Sequence, residues 1–97
     1  MKVIWSPLAL DKVSAIAEFI ALDKPSAAID WANDVFDLAE NLGTQPEIGR
    51  VVPELIGKGY REVIHGNYRI IYKIGNTLEI LTVRNCRQLL NLGDDEL

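Results

Sequence analysis

Between Tyr60 and Arg87 the chain reads YREVIHGNYRIIYKIGNTLEILTVRNCR, and few folds accommodate such a run. Three segments rich in Ile, Val and Tyr, at residues 60–64, 68–74 and 78–84, are separated by His65-Gly66-Asn67 and Gly75-Asn76. β-branched and aromatic enrichment marks strands, and short Gly/Asn connections mark hairpin turns. Two hairpins in succession make three adjacent antiparallel strands. Alternation in the middle strand places Tyr68, Ile70, Tyr72 and Ile74 on one side and Arg69, Ile71 and Lys73 on the other. In the last strand the same period sets Leu78 and Ile80 against Leu81 and Val83. Both faces therefore carry aliphatic side chains, and the second also carries arginine.

The preceding half is helical in pattern. MKVIW is a short apolar strand. Ser6-Pro7 then supplies a serine N-cap followed by proline at the first helical position. Leu8, Val13, Ile16, Ala17 and Ile20 recur at helical spacing, and the helix is expected to stop near Leu22 because Lys24 precedes Pro25. Pro25 opens a second helix, capped by Asp23 or Lys24, with Ile29, Ala32, Val35, Phe36, Ala39 and Leu42 as its apolar face. Gly43 is the expected C′ residue. Asp30, Asp34 and Asp37 line its solvated side. Residues 44–59 hold two prolines and three glycines and read as a loop, with a short strand at 50–52. The residues after Cys86 suggest a helical turn before an acidic end. The order predicts an α+β fold formed by the whole of residues 1–97 as one domain. An N-terminal strand and an αα-hairpin precede a three-stranded antiparallel meander, and the helices cover one face of the sheet. The other face is then expected to be open, exposing apolar surface to a partner.

Charge is segregated along this order. The net charge is −4, yet residues 1–49 carry three lysines against eight acids, and residues 50–90 carry seven basic residues against three acids. The tail adds Asp94, Asp95 and Glu96. A basic sheet on an acidic chain points to a polyanion or an acidic partner.

Several chemistries are excluded. One histidine and one cysteine assemble neither a zinc cluster nor a Ser-His-Asp or Cys-His set, and no Gly-rich phosphate loop is present. No metal or cofactor is expected. Cys86 alone makes no internal disulfide, and no apolar run approaches the roughly 18 residues of a membrane helix. A soluble, cytoplasmic protein is expected. His65 falls at a hairpin turn and reads as a solvated turn residue. Trp5 and Trp31 read as helix-packing residues. Tyr60, Tyr68 and Tyr72 read as sheet-packing ones.

Three pieces of the chain, WSPLALDKVSAIAEFI, PEIGRVVPEL and REVIHGNYRIIYKI followed by LEILTVRNCRQLL, resemble the RelE/ParE superfamily of toxins from type II toxin–antitoxin modules. The YRIIY core with REV upstream is the most specific of these. The resemblance implies a toxin neutralised by a cognate antitoxin, and two possible activities. RelE-like members cut mRNA on the ribosome, whereas ParE-like members poison DNA gyrase. For the nuclease, Arg61 matches the first basic residue of the second strand, Arg69 the arginine following the middle-strand tyrosine, and Arg87 the arginine beyond the last strand. Val63 stands where a further lysine is common, Asn85 where many relatives carry histidine, and the tail has neither tyrosine nor histidine. Arginine holds phosphate but is a poor base, with a pKa above about 12.

These departures favour the ParE-like reading, with the mRNA endoribonuclease using Arg61, Arg69 and Arg87 as its alternative and a non-toxic binding protein as a third. The expected partner-binding set is Arg61, Arg69, Ile71, Lys73, Arg84 and Arg87. The expected partners are an antitoxin and gyrase, or the ribosome and mRNA under the alternative. A homodimer through the open face is a further possibility.

Overall fold

A computed structural model describes residues 1–87; the helical turn expected after Cys86 falls outside them. Strand β1 (Val3–Trp5) leads into helices α1 (Pro7–Asp23) and α2 (Pro25–Leu42). A two-residue strand β2 (Arg50–Val51) and a 3₁₀ turn (Pro53–Leu55) follow, and then strands β3 (Tyr60–His65), β4 (Tyr68–Ile74) and β5 (Leu78–Asn85). All five strands form one sheet in the order β1-β5-β4-β3-β2. The meander is antiparallel throughout, and β1 lies parallel to β5, with Val3 opposite Leu78 and Trp5 opposite Ile80. The α+β architecture expected from the sequence is the one observed.

Ser6 fixes the change from strand to helix. Its Oγ accepts the Ala9 N–H at 3.0 Å as the N-cap of α1 and donates to the Leu81 carbonyl at 2.8 Å on β5. One hydroxyl thus satisfies an orphan donor of the helix and a carbonyl of the neighbouring strand. At the far end of α1, Lys24 closes one helix and opens the next. Its N–H donates to the Ile20 carbonyl, and its own carbonyl accepts from Ala27 and Ala28. With Pro25 starting α2 at once, the hairpin turns on a single residue.

The main core lies between the helices and one face of the sheet. Ala9, Val13, Val35, Ala39 and Leu42 meet Ile70, Tyr72, Leu78, Ile80 and Val83. Trp5 packs on Phe36 with ring centroids 4.9 Å apart, and Trp31 meets Tyr68 edge-on at 5.3 Å, so both tryptophans pack the helices as expected. Asp30, Asp34 and Asp37 are exposed along α2.

Four local expectations are corrected. Val83 belongs to the helix-facing core, because a bulge at Leu81 (Ile71 opposite Thr82, Tyr72 opposite Ile80) shifts the alternation by one residue. Ile29 and Phe36 lie outside the buried face of α2, where Ala28 takes a place instead. Gly43 ends α2 in the right-handed region at φ −62°, not as a left-handed cap. Glycine is required there because a Cβ would sit 2.7 Å from the Met1 carbonyl oxygen. Finally, the second face of the sheet is not open. Val52 and Leu55 fold over Ile71 and form a second apolar cluster with Tyr60 and Leu81.

Replacing Ser6 by alanine removes the cap and the bond to β5 together, and is expected to cost about 1–2 kcal/mol. Ser6→Thr should restore most of it. Urea denaturation followed by far-UV circular dichroism checks both.

Candidate functional site

The arginines of the sheet divide between its two faces. On the second face, Arg69 of β4 is only 4% exposed, beside Glu62 of β3 at 1%. Its Nη1 and Nη2 bind the two carboxylate oxygens of Glu54 at 2.6 and 2.9 Å. Its Nε and Nη2 reach Glu62 Oε1 at 2.7 and 2.6 Å. The other oxygen of Glu62 takes the Arg50 guanidinium, with Nε at 2.7 Å and Nη2 at 2.6 Å. Four charges of alternating sign thus tie together β2, the 3₁₀ turn, β3 and β4. The Glu54 hydrogen bond is the chief cause that raises the Arg69 pKa above its ordinary value, against the opposing effect of burial. This cation is spent inside the fold.

Arg61 lies opposite Tyr72 in register, on the helix-facing side. Its Nη1 donates to the Gly49 carbonyl at 2.7 Å. Beside it the Tyr72 hydroxyl accepts the Gly49 N–H at 3.0 Å and donates to the Pro46 carbonyl at 2.7 Å. Burial raises the Tyr72 pKa, partly opposed by that Gly49 bond. A Cβ at Gly49 would meet both the Tyr72 hydroxyl and the Glu62 carbonyl, so the loop needs glycine to come this close. His65 points to α2 with Nε2 3.7 Å from Asp34 Oδ2. Half-buried at the strand end, it is away from the Arg69 cluster, since His65 and Ile64 fall on opposite faces and Ile64 pairs with Arg69.

Of the six residues expected to meet a partner, Arg69 and Ile71 do not reach the surface; Ile71 is sealed under Val52 and Leu55. Lys73 is exposed above the Tyr60 ring, 5.1 Å from its centroid. Arg84 and Arg87 line a groove beside α1 together with Lys12, Tyr68 and Val83. Arg61, Arg69 and Arg87, the set a nuclease would use, stand in three different places. Sequence reasoning admitted ion pairing of Arg69 with Glu62, which the structure shows, but missed Glu54 as its second partner. The signal was Glu62 next to Arg61 in a strand facing Arg69, with Glu54 in a loop of matching apolar residues. No group of three or more potential metal ligands exists among the described residues, and none of their helices is long and apolar enough to cross a membrane.

A profile of the family described as the ParE toxin of the type II toxin–antitoxin system parDE matches residues 3–90. The chain belongs to the ParE toxin family. A solved structure described as the chromosomal ParDE TA system from P. aeruginosa has the same fold, with a TM-score of 0.71 at 19% identity over 88% of this chain and 95% of that one. No curated protein sequence matches the chain. The ParE fold thus accommodates an ionic cluster centred on the buried Arg69 and Glu62 at the position where the sequence suggested a basic surface.

Arg69→Ala leaves Glu62 buried beside Arg50 alone, and a loss of about 3–5 kcal/mol is expected. Arg69→Met combined with Glu54→Met and Glu62→Met removes all three charges and should cost far less than the single change. Chemical denaturation of both variants checks this, and equal losses would mean that the charges are not coupled.

Proposed function

We propose that this chain is the toxin of a type II toxin–antitoxin pair, neutralised by a cognate antitoxin, and that it acts by trapping DNA gyrase rather than by cutting RNA. Membership of the ParE family supports the toxin reading. The observation that carries the choice of activity is the state of Arg69. A nuclease needs cations that converge on the scissile phosphate and gain strength as charge develops there. Here the middle-strand guanidinium is already bound by two carboxylates. A phosphate entering that position would meet Glu54 and Glu62 as well.

Acid–base chemistry is equally short of groups. The single imidazole, at His65, faces Asp34 on the helix side of the sheet, whereas Arg69 lies on the other face. Arg61 is held against the Gly49 carbonyl, and its charge orders the 44–49 loop. A reading in which the toxin binds and arrests a large target asks only for surface, and exposed apolar residues such as Phe19, Leu22 and Ile29 at the hairpin tip provide it.

The test expresses the chain from a tightly repressed promoter and follows growth. The purified protein is then incubated with gyrase and supercoiled plasmid. Growth arrest with linear plasmid released by detergent and protease is the expected outcome. Arrest accompanied by ribosome-dependent mRNA cuts, with gyrase unaffected, would replace this reading by the nuclease. Unaffected growth would remove the toxin reading altogether. Arg69→Met/Glu54→Met/Glu62→Met, if folded, is expected to keep the arrest, since none of the three side chains is offered to the target.

A further inference from the structure

Strand β1 is the last strand on one side of the sheet, and its ladder with β5 fixes which of its groups remain for a further strand. The Leu78 N–H donates to the Lys2 carbonyl, and the Ser6 N–H donates to the Ile80 carbonyl. With Val3 opposite Leu78 and Trp5 opposite Ile80 in parallel register, Lys2, Ile4 and Ser6 turn their main-chain groups to β5. Val3 and Trp5 turn theirs to the outer side, where no strand lies among the described residues.

An open edge is ordinarily blunted by a charge, a proline or a bulge. Here the edge is Val3-Ile4-Trp5, with Lys2 before it and Pro7 after it, and it holds neither charge nor proline itself. Val3 and Trp5 pack on the helix-facing core, so Ile4 points to the other face, where it is 41% exposed. Phe36, 40% exposed, lies against the Trp5 ring at 4.9 Å. Both faces of the edge are thus apolar.

The edge also complements itself. Two residues with outward groups, on either side of a central one, are what an antiparallel pair needs when a two-fold axis passes through the central position. Val3 of one copy then faces Trp5 of the other, twice over, with both main-chain bonds made in each pair. Ile4 meets its own counterpart on the axis, with Cα atoms about 4.5 Å apart. Lys2 falls opposite Ser6 of the other copy. The two Lys2 residues then stand four positions apart, about 13 Å, which exceeds the screening length of about 10 Å at 0.1 M salt. Residues 2–6 hold no acid. On a chain of net charge −4, this seam lets two copies meet without opposing carboxylates.

We propose that the outer edge of β1 is the contact between two copies of this chain, joined by antiparallel β1–β1 pairing about a two-fold axis at Ile4. The two five-stranded sheets become one. The contact uses the sheet edge, where the sequence suggested the open face, and it does not depend on the toxin reading. Three residues from each copy bury little area, so the dimer is weak and concentration-dependent.

The test is sedimentation equilibrium of the full 97-residue chain from about 10 μM to about 1 mM, with an expected dimer dissociation constant of about 0.1 mM or below. Ile4→Lys sets like charges opposite each other on the axis and should weaken the dimer at least about tenfold. Ile4→Glu should do the same, yet an equimolar mixture of the two variants should associate, because the two-fold register places position 4 against itself. Ile64→Lys, on β3 at the far side of the sheet, should change the constant less than about twofold. Should the variants fail to fold, the unaltered chain gives its own reading. Amide hydrogen exchange at Val3 and Trp5 should slow as concentration rises through the dissociation constant.

A chain that is monomeric at about 1 mM would overturn the proposal and leave the edge to a strand of a different protein. So would a dimer weakened equally by Ile64→Lys, or a variant mixture that stays monomeric. A dimer in which Val3 and Trp5 exchange as fast as in the monomer would place the contact elsewhere and overturn it too.

Discussion

The arrangement of this fold depends on the buried guanidinium of Arg69. A cation in the middle strand of a sheet needs compensating charge nearby, and the adjacent strand supplies Glu62. One carboxylate leaves part of the guanidinium fork unused, and Glu54 fills it from the segment that crosses the sheet. The outcome is that residues 50–55 are drawn over the second face, where Val52 and Leu55 close on Ile71. The energetic roles separate. Burying an aliphatic side chain contributes roughly 1.5–3 kcal/mol, whereas a buried ion pair roughly breaks even against a well-packed apolar substitute. Val52, Leu55 and Ile71 hold the segment down, and the charges decide where it lies.

The same segment is gripped from both sides of the sheet. Residues 46–49 are fastened on the helix-facing side, where the Tyr72 hydroxyl bonds to Pro46 and Gly49 and Arg61 holds the Gly49 carbonyl. Three residues later Val52 is on the opposite face. The two-residue strand β2 is where the chain passes the edge of β3, with Arg50 opposite Glu62 and Val51 opposite Arg61. A strand this short suffices because side chains, more than ladder bonds, fix its position. Glycine at 49 and the buried tyrosine at 72 are therefore one unit, since any side chain at 49 would displace the hydroxyl that anchors the loop.

Local pattern made the secondary structure legible. β3, β4 and β5 followed from period-two alternation and two turns, and both helices from proline at their first positions. What the sequence hid was nonlocal. The bulge at Leu81 has no residue that announces it, and one extra residue suffices to move Val83 from one face to the other. The parallel pairing of β1 with β5 joins residues far apart in the chain, which no window of sequence contains. Arg69 and Ile71 looked like surface because a three-stranded meander with helices on one side leaves the other side bare. The loop that covers them was read by its prolines and glycines, which mark irregular backbone but do not say where it packs. The spacing of Val52 and Leu55, with an acid between them, was the available sign. The family resemblance, which drew on motifs across nearly the whole length, was more robust than any individual residue assignment within it.

A mismatch of lengths explains why surface remains at one end. Helix α1 starts beside Ile80 and Leu81 of β5, where Ser6 is bonded, and its seventeen residues extend about 26 Å at 1.5 Å per residue. From Leu81 to Asn85 β5 covers only about 17 Å at 3.3–3.4 Å per residue. The last turns of α1 and the first of α2 consequently overrun the sheet. Phe19, Leu22 and Ile29 are 69%, 87% and 63% exposed because no strand among the described residues lies beneath them. Ile16 and Lys12 lie just inside the overhang and line the groove opposite Val83 and Arg84. The groove and the apolar tip therefore have one origin: a helical hairpin longer than the part of the sheet it covers.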